Sequence, residues 1–130
     1  MRKQLTAVYV LTPDGKVIAG YYTLSAYSIG LDKIPEGIAK KLTRMQEVPT
    51  TLIGRLARSI AFKGQGIGEI LLMDALKRSL ANSVNVASWA VVVDAKDEGA
   101  IAFYKKYGFM EISTVPSRLF LPMETIAKLP

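Results

Sequence analysis

The chain has 130 residues, half of them apolar, and a formal charge of +6. That is the size and make-up of one compact soluble domain spanning 1–130, and it is too short for two. Its apolar runs break at Lys, Asp, Ser or Gly well before 18 residues, which argues against a membrane-spanning helix. The start, Met1-Arg2-Lys3-Gln4-Leu5-Thr6, does not lead into a signal-peptide run. There are no cysteines and no histidines. A disulfide, a thiolate nucleophile, an imidazole base, a Ser-His-Asp triad and a His/Cys zinc site are therefore excluded. Chemistry has to rest on carboxylates, Lys, Tyr, hydroxyls, backbone amides or a co-substrate, and no metal is expected. Lack of cysteine fits a cytoplasmic protein. The basic excess favours phosphates, on a cofactor or a nucleic acid, and fits a solvated basic surface equally well.

In chain order, residues 4–12 read as a strand. Pro13-Asp14-Gly15 supplies turn chemistry, and 16–28 resumes with Val, Ile, Tyr and Thr to complete a hairpin. Gly30, Pro35, Gly37 and Pro49 make 29–50 less regular, with a short helix expected over 36–45. Residues 51–62 read as another strand. Apolar residues from Ile67 to Leu80 keep a helical period, so 67–82 is a helix. Residues 88–95 form an almost wholly apolar run, expected to be a strand covered on both faces. A helix over 97–107 ends at Gly108. Short strands at 109–115 and 117–121 flank Pro116, and 123–129 reads as a terminal helical turn. The order implies a mixed α/β sheet with helices packed on it.

Phe62-Lys63-Gly64-Gln65-Gly66-Ile67-Gly68-Glu69 lies between a strand and the strongest helix. Three glycines at alternate positions let the backbone bend tightly and expose its amides. The first helical N–H groups lack internal partners and sit at the positive end of the helix dipole. Together they suit a pyrophosphate, and Lys63 adds a full charge. The pattern is neither a Walker A loop nor G-x-G-x-x-G. Read alone, it is also compatible with a plain Gly-rich turn.

A second segment narrows the choice. Lys63-x-x-Gly66-x-Gly68, followed by Asp97, Ala100, Phe103, Tyr104, Gly108 and Phe109, resembles the acyl-CoA loop and the later helix of the GNAT family of N-acetyltransferases. The resemblance covers roughly residues 4–122. Within that family, Gly20-Tyr21-Tyr22-Thr23-Leu24-Ser25, Ile53-Gly54-Arg55-Leu56-Ala57, Val93-Asp94-Ala95-Lys96-Asp97 and Arg118-Leu119-Phe120-Leu121-Pro122-Met123 look like the toxin acetyltransferases of bacterial toxin–antitoxin pairs. Three departures stand out. The subgroup's N-terminal helices are expected to be missing, Arg58-Ser59 stands where relatives carry Val-Asp, and Lys63 replaces a Gln.

The resemblance implies a mostly antiparallel sheet of six to seven strands and an acetyl-CoA-dependent acetylation of the α-amine of aminoacyl-tRNA. It also implies a homodimer and a ribbon-helix-helix antitoxin as partner. The amides of Leu56, Ala57 and Arg58 would pair with the pantetheine arm, and those of Gly64, Gln65, Gly66, Ile67 and Gly68 would hold the pyrophosphate. Asp97 and Phe103 match the cofactor-side helix, and Tyr104 matches the general acid. A phenol with a pKa near 10 stays protonated at neutral pH; core packing is the alternative role for Tyr104, and Tyr107 reads as packing or surface. No Asp or Glu lies between Val48 and Gly68 to serve as base. An α-amine, with a pKa around 8, needs less help than a lysine. Arg55, Arg58, Lys40, Lys41, Arg44, Lys77, Arg78, Lys105 and Lys106 are candidate RNA-phosphate contacts. Acetylation of a small-molecule or protein amine remains open, as does a non-catalytic CoA-binding or partner-binding domain.

Overall fold

The computed structural model of the chain describes residues 6–42, 46–112 and 115–129. Among them six strands form one sheet: β1 (Thr6–Leu11), β2 (Gly20–Gly30), β3 (Glu47–Arg58), β4 (Ala90–Asp94), β5 (Met110–Ile112) and β6 (Val115–Pro122). Their order is β1-β2-β3-β4-β6-β5, and β3–β4 is the single parallel pair. The helices are α1 (Glu36–Ala39), α2 (Ile67–Val86), α3 (Glu98–Lys106) and α4 (Met123–Ile126).

Side-chain alternation along β4 explains the layering. Val91 and Val93 point into a core with Leu71, Ala75 and Leu76 of α2 and Tyr104 of α3. Ala90 and Val92 point the other way, into a smaller core with Ile29, Val48 and Phe120. Ala90 to Val93, the first four of the five β4 residues, are fully buried, as a strand apolar on both faces requires. Both long helices therefore lie on one face. The other face is packed by Leu31, Ile34, Ile38, Ala39 and Leu42 from the segment 31–42.

Several boundaries move for identifiable reasons. The hairpin's second strand starts at Gly20 rather than Lys16. Asp14 Oδ1 accepts from the backbone N–H groups of Lys16 and Val17 at 2.8 and 2.9 Å, and those amides are then unavailable to a strand ladder. The same bonds hold the Asp14 carboxyl below its usual pKa. The strand expected over 51–62 runs instead from Glu47 to Arg58. Pro49 is tolerated opposite Ser28 because its carbonyl, which accepts from Trp89 N at 2.8 Å, and with it the missing N–H, point away from β2 to the side where β4 pairing begins only at Thr51. Residues 60–62 form a 3₁₀ turn capped by Ser59 Oγ. The helix expected over 36–45 is the single turn α1 followed by a 3₁₀ turn at 40–42, and 43–45 lie outside the described residues. α2 continues past 82 to Val86 and stops where Ala87 turns left-handed, φ 51°. Gly108, φ 96°, ends α3 as expected.

Candidate active site

The site starts from a difference in register. β3 and β4 pair only from Thr51–Val91 to Ile53–Val93. Beyond that level β3 stays on β2 through Arg58, while β4 ends at Asp94. The edge of Gly54–Arg58 turned away from β2 therefore has no strand partner, and its alternate amides and carbonyls are open. A bulge marks the point of parting: the β2–β3 register shifts between Tyr22 and Leu24, and Thr23 Oγ1 accepts from Arg55 N at 2.9 Å. A Cβ at position 54 would come within 2.9 Å of that hydroxyl, so glycine is required there. Leu56, Ala57 and Arg58 lie on this free edge. Sequence reading missed Thr23 and the bulge. An isolated glycine within a strand pattern was the available signal.

The chain leaves β3 into the glycine bend. Gly64 and Gly66 have φ of 81° and 72°, and Gly66 stands at the N-terminus of α2. A Cβ at either would meet nothing within 4 Å, so the space before the bend is open. That openness, with the free amides of the first α2 turn, fits a diphosphate. Lys63 and Gln65 are exposed beside it, whereas Ile67 buries its side chain in the core. An open depression of about 540 Å³ continues from Gln65 and Gly66 along Glu69, Ile70, Met73, Asp74 and Lys77.

α3 closes the other side. A Cβ at Gly68 would stand 3.8 Å from the Phe103 ring, so the expected cradle and α3 do meet. Phe103 lies edge-on to both Tyr104 and Tyr107 at 5.3 Å. Asp97 caps the helix, its Oδ1 accepting from Ala100 N at 2.8 Å. Tyr104 has its ring in the core, 5.3 Å from Phe109, and its hydroxyl has no hydrogen-bond partner among the described residues. Burial raises its pKa above 10, so it remains a proton donor at neutral pH.

The basic candidates divide. Arg55, Arg58, Lys40, Lys77 and Lys106 belong to no ion pair among the described residues. Arg44 and the side chain of Lys41 lie outside the described residues. Arg78 is committed within the fold: its Nε donates to Tyr22 Oη at 3.0 Å, it pairs with Asp74 at 3.4 Å, and its guanidinium sits 4.1 Å from the Tyr9 ring centre. Lys105 pairs with Glu111 at 2.7 Å. Sequence reading also gave no role to Arg118. It grips Asp94 with two bonds, of 2.6 and 2.9 Å, and donates to Tyr27 Oη at 2.5 Å.

No helix among the described residues is long and apolar enough to cross a membrane. The chain is 31% identical to a probable toxin TacT of Sinorhizobium fredii, over 94% of this chain and 72% of that protein. It is also 31% identical to a tRNA-acetylating toxin of Mycobacterium tuberculosis, over 89% and 68%. The solved structure of AtaT complexed with acetyl-methionyl-tRNAfMet superposes with a TM-score of 0.83 at 30% identity, covering 92% of this chain and 72% of AtaT. AtaT is also known with its antitoxin AtaR, and AtaTR with bound acetyl-CoA. The profile of the acetyltransferase (GNAT) family matches residues 3–109. A split parallel pair leading into an open glycine bend, a profile match over most of the length and these relatives agree: the chain belongs to the acetyltransferase (GNAT) family.

Proposed function

We propose that this chain is one acetyltransferase domain that moves the acetyl group of acetyl-CoA to the α-amine of aminoacyl-tRNA, and so blocks translation. The observation that carries the reading is the unpaired β3 edge running straight into the open glycine bend. Acetyl-CoA supplies an acetyl group activated as a thioester. The open amides and carbonyls at Leu56, Ala57 and Arg58 bind its amide-bearing arm as an added strand. The amides from Gly64 to Gly68, with the α2 dipole and Lys63, hold the diphosphate. Phe103 packs beside them, and Asp97 fixes the start of the helix that carries Tyr104. As the amine nitrogen bonds to the acetyl carbon and the C–S bond breaks, Tyr104 gives its phenolic proton to the departing sulfur. The amine's surplus proton passes to water, and the Tyr104 phenolate takes a proton back from water to restore the phenol. An α-amine beside an ester carbonyl loses that proton without a strong base.

The names of the relatives support the acceptor: one is a tRNA-acetylating toxin, and AtaT is known with an acetylated aminoacyl-tRNA. We further propose a cytoplasmic protein, placed where charged tRNA is found, with an antitoxin as partner; its ribbon-helix-helix type and a homodimeric state are carried over from the family resemblance alone. AtaT is known bound to its antitoxin AtaR.

Comparison of wild type with Tyr104→Phe tests the assignment. Acetyl-CoA affinity measured by calorimetry should be unchanged, while transfer to aminoacyl-tRNA falls about a hundredfold or more. No acetyl-CoA binding by wild type removes the reading. Binding without turnover in either form makes the chain a binding module, and faster acetylation of lysine peptides than of aminoacyl-tRNA moves the acceptor to protein amines.

A further inference from the structure

The acetyl donor and the acceptor must reach the split from different sides. The glycine bend and α2 belong to the helix-covered face, so a donor arm running from that bend fills the cleft from there. The acceptor is left the opposite face. Residue alternation says what stands on it. Asp94 follows Ala90 and Val92, Arg118 precedes Phe120 by two, and Tyr27 packs with the same cluster, so all three project from the face opposite α2 and α3. Asp94 is the first β4 residue beyond the last β3–β4 pair. The adjacent β3 position is Gly54, which contributes no side chain there.

We propose that Asp94 and Arg118 together recognise the acceptor, the carboxylate taking a hydrogen bond from its amine and the guanidinium giving one to the neighbouring carbonyl oxygen. The inference rests on the transferase reading and deepens it. Arg118 is held from two sides, by both Asp94 oxygens and by the Tyr27 hydroxyl, with the Tyr27 ring centre 4.7 Å from the guanidinium carbon. Those bonds use three of its five N–H donors, and each Asp94 oxygen keeps a second lone-pair direction. The side chains are 22% and 51% exposed respectively, so the pair is anchored on the Arg118 side and open on the Asp94 side. A rigid unit offering donor and acceptor together matches an α-amino acyl group, whose amine and carbonyl are one carbon apart. A lysine side chain has no such carbonyl. Because Arg118 already offsets its charge, Asp94 orients the amine without trapping it as an ammonium ion.

The test measures transfer from acetyl-CoA to an aminoacyl-tRNA, to an α-amino amide, and to the matched alkylamine that lacks the carbonyl, using wild type, Asp94→Asn and Arg118→Lys. Wild type should prefer the amide over the alkylamine. Each variant should raise the acceptor KM about tenfold or more and erase that preference, with the acetyl-CoA KM little changed and the protein still folded at a lower melting temperature. An unchanged preference in folded variants overturns the inference and leaves the transferase reading intact. So does a parallel rise in both KM values, which would make the pair merely structural. Wild type that fails to bind acetyl-CoA removes both, and that result is obtained before any acceptor is added.

Discussion

Tyr22 shows how a single side chain can serve three elements. Its ring is buried and stacks on Tyr9 at 5.2 Å, its hydroxyl donates to Asp74 and accepts from Arg78, and it thereby ties β1 and β2 to α2. Burial first, and the Asp74 carboxylate second, push its pKa up to about 12. A phenol whose folded value exceeds its unfolded value of 10 contributes stability that is complete below pH 10 and is lost as pH rises towards 12. Denaturant titrations from pH 9 to 12 should therefore show a decline in wild type that is shallower in Tyr22→Phe. At neutral pH the variant should lose about 1–3 kcal/mol, because Asp74 and Arg78 keep their charges and lose a partner. Tyr104 differs in kind. Its ring is likewise part of the core, but its hydroxyl has no hydrogen-bond partner among the described residues, as the proposed proton donor requires.

At the scale of elements, the glycine bend and the first turn of α2 act as one unit. Gly66→Ala places a Cβ in open space, so nothing clashes, but it forces a left-handed residue at φ 72°. The strain of about 1–2 kcal/mol should appear as a lower melting temperature. The methyl would also stand where the diphosphate is expected. Acetyl-CoA affinity by calorimetry should then fall about tenfold or more, and inorganic pyrophosphate should compete for binding in wild type only. Much of this unit could be read from the sequence, because glycine spacing and a helical period are local properties. The bulge could not. Gly54 is legible as a glycine in a strand, but the hydroxyl that closes the bulge belongs to Thr23, thirty-two positions from the Arg55 amide it accepts.

For the whole molecule, charge is the property that reaches beyond any one element. Arg55, Arg58, Lys40, Lys77 and Lys106 remain outside ion pairs among the described residues, while Arg78 and Lys105 are engaged internally. If these cations meet the RNA backbone, transfer to aminoacyl-tRNA should fall steeply between 50 and 200 mM salt, by about tenfold or more. Transfer to a small α-amino amide over the same range should change by about twofold at most. Substituting Arg55 or Arg58 with Gln should reduce the salt slope for the tRNA acceptor, whereas Arg78→Gln should mainly lower stability.

The sequence by itself determined the element order, a doubly buried strand within 88–95, the glycine bend, the helix end at Gly108 and the family, since each depends on neighbours within a few residues or on a spaced motif. It also excluded thiol, imidazole and His/Cys metal chemistry, because a missing residue type needs no structure to be seen. Tertiary structure alone decided that β3 outruns β4, that Arg78 is tied to Tyr22, and that Tyr27, Asp94 and Arg118 meet on one face. These depend on strand register and on contacts between residues 24 to 91 positions apart. A linear pattern carries no record of such pairings until the sheet brings the strands side by side.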